Sequence, residues 1–297
     1  MDTGASQIPV FDSSVLVDFA LMKATNSSES WYPGSRLSQS KYLTLGSGSA
    51  GQDGQGSNVN WVFDYNDGWN NSTSHFNSSG YQSWMWKRHA GFDVVTYISP
   101  GGNNFVVNHS LGKVPEMMWI KNRGMSSNWT VYHKGLNGGT NPEDYGLHLN
   151  TNSAEVDDYG FFSDIAPTST VFTAGYDGTT GTSGANYMAM LFASVTGISK
   201  VGSFSGSNST VSVNLGFQPR FLILKRASGT GNWVVLDTVR GWGAGDDQYM
   251  RLNENGQNAG HDVGAPTSTG FDVTGGSSDY NSAGSTYISV SYTHLTL

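Results

Sequence analysis

The chain contains no cysteine, which excludes disulfide staples, thiolate zinc sites and thiol catalysis. Charge is scarce: 15 Lys+Arg and 23 Asp+Glu in 297 residues, a formal net charge of −8. The one dense basic cluster is Lys87-Arg88-His89. A nucleic-acid binder needs several such clusters to displace counterions, so nucleic acid is not an expected partner. No apolar run approaches the ~18 residues of a membrane span. The start, Met1-Asp2-Thr3-Gly4, has neither a basic nor an apolar leader region, and no signal peptide is read there. Catalytic signatures are missing as well: there is no G-x-S-x-G or H-E-x-x-H, and the seven histidines are scattered. The expectation is a protein that is not an enzyme.

What is present points to sheets. Glycine, at 39 residues without a three-residue period, is not collagen-like. Aromatics at 12% argue against disorder. No segment carries a convincing helical period, and the best candidate, Val15 to Met22, fits alternation equally well. The composition reads as a turn-rich, all-β fold.

One phrase recurs three times. "FALMKATNSSESW" runs from Phe19, "MMWIKNRGMSSNW" from Met117 and "FLILKRASGTGNW" from Phe221; Lys23, Lys121 and Lys225 each precede a tryptophan by eight positions. In "MMWIK" and "FLILK" both residue parities are apolar, as in a strand covered on both faces. The polar stretch that follows is a turn, and the tryptophan opens a returning strand, so the phrase is a β-hairpin with a long loop. The lysine is expected to end the run by placing its charge in water. Trp31, Trp129 and Trp233 recur in phase and are expected in the core.

Other phrases repeat around these. "TYISPGGNNFVVNHSLG" aligns without gaps on "KVGSFSGSNSTVSVNLG" at a shift of 104, "APTSTVF" at Ala166 matches "APTSTGF" at Ala265, and "YQSWMW", "YMAMLF" and "YISVSY" correspond. The expected organisation is tandem β-sandwich (jelly-roll-like) repeats of about 100 residues: residues 1–90 as a divergent first copy, then 91–194 and 195–297. The polar ending after Val290, and Thr293 to Leu297 with no counterpart, read as a truncated or artefactual end that leaves the last strand imperfect.

Candidate sites are few. Trp69 and Trp242 lie in Gly/Asn-rich stretches, and Tyr176 and Tyr280 in variable loops; their faces are candidates for stacking on sugar rings. Asp64, Asn66 and Asp67 in "DYNDG" are hard oxygen donors suited to calcium, although the spacing departs from the EF-hand pattern and the same residues make ordinary turns. "GAGDD", Gly243 to Asp247, is a weaker version. No other cofactor or metal is expected. "GSGSAG", Gly46 to Gly51, matches a dinucleotide fingerprint only formally, because no helix-forming segment follows it. Asp157-Asp158 and Asp246-Asp247 read as solvated loop pairs. In the gapless alignment His109 stands against Val213 and His133 against Asp237, which argues against a catalytic role for either.

"FDVVTYISPGGNNFVVNHSLGKVPEMMWIKNR", "NWTVYHKGLNGGTNPEDY", "IAPTSTVFTAG", "NYMAMLFASVTGISKVGSFSG" and "KRASGTGNWVVLDTVRG" resemble a repeat family of marine bacteriophage tail and tail-fibre structural proteins, over about Asn60 to Tyr292. The resemblance implies a virion structural component that acts outside the cell, with other tail proteins and host-surface glycans as partners. By analogy with such fibres it also implies a homotrimer. It carries no catalytic residues. The alternatives are a carbohydrate-binding, lectin-like module and, third, a capsule-degrading enzyme.

Overall fold

The computed structural model describes residues 11–38, 41–45, 61–71, 80–89, 91–256 and 259–293; the Gly46–Gly51 stretch and residues 294–297 fall outside them. Among the described residues nearly all regular structure is strand, joined by turns and loops with only short helical turns, as the composition indicates. The first portion supplies β1 (Phe11–Asp12), β2 (Phe19–Ala24), β3 (Tyr32–Ser35), β4 (Trp61–Val62), β5 (Gly68–Asn71) and β6 (Tyr81–Trp86). They form an inner sheet β3-β2-β6 and an outer sheet β1-β5-β4.

The second portion holds β7 (Phe92–Ile98), β8 (Phe105–Asn108), β9 (Met117–Asn122), β10 (Thr130–His133), β11 (Tyr145–His148), β12 (Val156–Asp157), the one-turn α1 (Tyr159–Phe162), β13 (Val171–Ala174) and β14 (Asn186–Phe192). Its inner sheet is β12-β11-β10-β9-β14-β7 and its outer sheet β13-β8. The third holds β15 (Ser199–Ser205), β16 (Val211–Asn214), β17 (Phe221–Arg226), β18 (Val234–Asp237), β19 (Asp247–Arg251), β20 (Ala259–His261), β21 (Pro266–Thr267), β22 (Gly270–Val273) and β23 (Thr286–Tyr292). Here the order is β15-β23-β17-β18-β19-β20 inside and β16-β22-β21 outside. In each sandwich the hairpin strand carrying the buried lysine lies beside the last strand, so β2 pairs with β6, β9 with β14 and β17 with β23, all antiparallel.

The doubly apolar strands have a direct explanation. Successive strand residues point to opposite faces. In β9, Met117 and Trp119 face one hydrophobic cluster while Met118 and Ile120 face another. In β17, Phe221 and Ile223 divide from Leu222 and Leu224 in the same way, as do Phe19 and Leu21 from Ala20 and Met22 in β2. One face of each inner sheet packs under its own outer sheet. The opposite faces of all three inner sheets meet in a single central cluster with Trp31, Trp129 and Trp233 in it. A buried Leu, Phe or Met contributes about 1.5–3 kcal/mol, so this shared cluster makes the three sandwiches interdependent.

Three indole bonds run around that centre. Trp129 Nε1 donates to the Thr44 carbonyl at 3.0 Å, Trp233 Nε1 to that of His148 at 3.0 Å, and Trp31 Nε1 to that of Arg251 at 2.8 Å. Each tryptophan therefore reaches the sandwich before its own, and the first reaches the third, which closes the ring. Crossing from the first sandwich to the second requires Gly91: its φ is +75°, and a Cβ there would sit 2.6 Å from the Ala193 carbonyl.

Two expectations need correction. The gapless alignment upstream of the hairpins is displaced. Tyr97 stacks on Tyr187 (5.0 Å, 11°) and Phe204 on Tyr287 (5.3 Å, 15°), which makes Tyr97 the counterpart of Phe204 rather than Val201. Likewise the His109 amide bonds to Thr170 O and the Leu215 amide to Thr269 O, so His109 corresponds to Leu215 and not Val213. Loops of unequal length absorb the difference. The last strand is also intact: β23 pairs through Tyr292 with both β15 and β17, with Ser289 and Ser291 buried within it.

Trp119, unlike Trp129, has no acceptor for its buried Nε1 among the described residues. Trp129→Phe should therefore cost about 1–2 kcal/mol more than Trp119→Phe in urea unfolding, because only the former leaves a carbonyl without its donor. Equal costs would show that the indole bond contributes nothing.

Candidate functional site

Three of the four aromatic candidates are interior. Trp69 is fully buried on β5, stacked on Phe11 (4.4 Å) and Trp61 (4.2 Å), with its Nε1 donating to Ser83 Oγ at 2.9 Å. Its pairing with Phe11 matches that of Phe172 with Val107 and of Phe271 with Val213, so it fills the place of an outer-sheet core residue. Trp242 is buried against Phe271 and donates to Gly264 O at 2.9 Å. Tyr280 is buried with its hydroxyl 2.8 Å from His261 Nδ1. None of these three presents a ring face to a sugar. Trp69 lies on a strand in spite of its Gly and Asn neighbours, whereas Trp242 does lie in a loop, between the turn Thr238–Arg240 and β19, with its ring turned inward. Tyr176 alone is open, at 55% exposure, and its ring lies 6.5 Å from that of Tyr159, which is 41% exposed. Sequence reasoning passed over Tyr159, next to an acidic pair in a segment that resembles a plain loop.

The calcium candidates do not converge. Asp64, Asn66 and Asp67 are exposed on the β4–β5 turn; Asp64 lies 3.7 Å from Arg36, and the Asp67 carbonyl already accepts from the Ser13 and Ser14 amides. Among the described residues no group of three or more His, Asp or Glu could hold a metal. The acidic pair Asp246-Asp247 is not a solvated one: Asp247 is buried, and its carboxylate accepts from the amides of Gly243, Val263 and Gly264. A cavity of ≈160 Å³ between the second and third sandwiches is lined by Val195, Lys200, Leu215 and small polar residues. Among the described residues no helix is long and apolar enough to cross a membrane.

The repeated lysines are the main reversal. Lys23, Lys121 and Lys225 are fully buried and do not reach water through their side chains. Lys23 and Lys121 fold back on the loop that follows them, and Lys225 on the end of its own strand. Lys121 Nζ donates to the carbonyls of Met125 (3.0 Å) and Ser127 (2.8 Å) and to Ser127 Oγ. Lys23 Nζ donates to Glu29 O (2.5 Å), and across the ring to Asn255 O (3.2 Å). Lys225 Nζ bonds the Arg226 carbonyl. Burial lowers the pKa to about 8 for Lys23, where the Glu29 charge partly opposes it, to about 8 for Lys121, and to about 7 for Lys225, where Asp279 opposes it. An ammonium has three hydrogens to place, and turn carbonyls accept them where no water does. At Lys23 and Lys121 the arrangement braces the hairpin loop.

Two further buried titratable groups, Asp237 and His133, tie sandwiches together. Trp84 Nε1 of the first donates to the Asp237 carboxylate of the third at 2.8 Å. His133 of the second accepts from the Gly135 amide at Nδ1, which leaves its Nε2–H to donate to Ser289 O of the third at 3.3 Å. Burial holds the His133 pKa down at about 4. The unfolded chain therefore takes up a proton near pH 6.5 that the folded chain refuses until about 4. Stability should fall across that window by up to about 3 kcal/mol, and His133→Asn should flatten the profile in urea titrations from pH 7 to 4. In acetic anhydride labelling at pH 8, exposed Lys113 and Lys200 should react well before Lys23, Lys121 and Lys225; equal rates would contradict the loop-brace assignment.

No curated protein and no solved structure matches the chain. One family does, described as a domain of unknown function (DUF7483), over residues 39–294, a span that includes strands of all three sandwiches. The chain, with its ring-forming tryptophans and buried lysines, belongs to that family.

Proposed function

We propose that the chain is a structural component of a bacteriophage tail or tail fibre, built of three tandem copies of one β-sandwich unit, that presents loops for attachment to a host surface. The observation that carries this reading is the single insulated core shared by all three sandwiches. That architecture suits an element under load, because one region cannot open without exposing apolar area in the other two. A non-catalytic role is supported by where these buried titratable groups point: Lys23 and Lys121 to loop carbonyls, Lys225 to the Arg226 carbonyl, Asp237 and His133 to neighbouring sandwiches, and Asp247 to three backbone amides. The resemblance of the repeated phrases to tail proteins supplies the setting, a virion appendage working outside the cell.

Partners in this reading are other tail proteins and host-surface glycans. The homotrimer drawn from analogy is not needed to cover the inner sheet faces, since the three sheets of one chain cover one another. A threefold appendage would accept this chain as a ready-made ring on its axis. Peptide mass spectrometry of purified particles whose genome encodes the chain provides the test. Peptides from all three portions should appear in intact virions, and their absence from clean particles would remove the proposal.

A further inference from the structure

The three sandwiches correspond closely at their centre, so features confined to one of them stand apart from the shared scaffold. The Tyr187 hydroxyl donates to Gly178 O and the Tyr287 hydroxyl to Ser278 O, which fixes a shift of 100 in this region. Tyr176 then corresponds to Gly276, and the aromatic face at Tyr176 has no equivalent in the third sandwich.

That face is assembled from two segments braced by backbone bonds. α1 presents Tyr159, and the loop after β13 presents Tyr176. The Asp177 amide donates to Gly160 O and the Gly175 amide to Phe161 O, both at 2.9 Å. The approach is so close that a Cβ on Gly175 would lie 2.1 Å from Gly160 O. Around a Cβ placed on Gly160 lie Asp158 Oδ1 at 2.9 Å, Asp177 Cβ at 3.3 Å and Tyr176 Cζ at 3.5 Å, so both tyrosine-bearing segments and both carboxylates share one spot. Each carboxylate commits one oxygen: Asp158 Oδ1 accepts from the Gly160 amide, and Asp177 Oδ1 from the amide and hydroxyl of Thr179. The second oxygens have no hydrogen-bond partner among the described residues.

We propose that Tyr159 and Tyr176, flanked by Asp158 and Asp177, form a binding site for a neutral, pyranose-containing polysaccharide. The proposal rests on the host-surface reading above and names the ligand class for it. Aromatic faces cover the C–H faces of a sugar ring, and carboxylate oxygens accept its hydroxyl hydrogens. The brace fixes the backbone that carries both tyrosines in advance, so only side-chain freedom is lost on binding. The local field selects against acidic sugars. Glu143, Asp144, Asp157 and Asp164 lie nearby, none of them in an ion pair among the described residues. Asp164 is exposed, so desolvation can contribute little, and the neighbouring charges of Asp144, Asp157, Glu143 and Asp158 raise its pKa.

The test uses the full chain with three probes, amylose, N-acetylated chitohexaose and alginate, followed by titration calorimetry. At least one neutral probe should bind and alginate should not. Tyr176→Ala and Tyr159→Ala should each weaken binding by roughly tenfold or more, while Tyr176→Phe, which keeps the ring, should stay within about threefold. The mutated side chains are exposed, so a normal unfolding midpoint should accompany the loss. Absence of binding to all three probes, preference for alginate, or affinity indifferent to Tyr176→Ala would overturn the site. So would capture of polylysine in place of the glycans, lost in Asp177→Asn. A chain found in virions that binds no neutral probe removes the site and leaves the tail assignment. A chain that binds amylose or chitohexaose but is missing from virions does the reverse.

Discussion

Three buried indole N–H groups set the terms for the rest of this molecule. Each is far from water, and an unpaired buried donor costs about 1–3 kcal/mol. Each finds its acceptor not in its own sandwich but in the one before, at the carbonyls of Thr44, His148 and Arg251. The partners follow one another around a ring, and the Trp31–Arg251 bond joins its two ends without a peptide link. The central cluster then fills the space between three inner sheets. Removing any one sheet would expose the apolar inner faces of the other two.

The buried lysines belong to the same scheme. A hairpin that must deliver a tryptophan to a neighbouring sandwich needs its loop held in place. A lysine at the end of the first strand can reach carbonyls four and six positions on, as Lys121 does to Met125 and Ser127. Loops of the adjacent sandwich add to the brace: the Gly231 amide donates to Asn152 O, the Glu155 amide to Ala227 O, and Lys23 reaches Asn255 O. The cost is three ammonium groups drawn out of bulk water, which burial makes easier to deprotonate. Loop, lysine and tryptophan thus act as one piece, which explains why they travel together in the sequence at fixed spacing.

Much of the core was legible from residue patterns. Runs apolar at both parities announced strands covered on both sides, and in-phase tryptophans announced the interior, because burial and period leave direct marks in sequence. What patterns could not show was destination. A lysine after an apolar run ordinarily marks exit to solvent, and only a three-dimensional loop offers it carbonyls instead. Polar neighbours made Trp69, Trp242 and Tyr280 look exposed, yet Trp69 faces inward from a strand between Gly68 and Asn70, and Trp242 and Tyr280 turn inward from loop and turn positions. Asp247 was read as solvated, although three converging amides hold it inside. Upstream of the hairpins, loops that differ by two or three residues defeated a gapless alignment that the aromatic stacks of Tyr97 and Phe204 resolve. The exposed Tyr159–Tyr176 pair was half visible: Tyr176 stood out, but its partner needed the fold to bring α1 beside the loop after β13.

Native-state hydrogen exchange on Trp31→Phe tests the ring most directly, since that substitution cuts the one indole bond bridging its two ends. If the three sandwiches share one core as a single cooperative body, amides in β2, β9 and β17 should lose protection together and by similar factors. Loss confined to β2 and its neighbours β3 and β6, with β9 and β17 as protected as before, would mean that the three sandwiches merely touch.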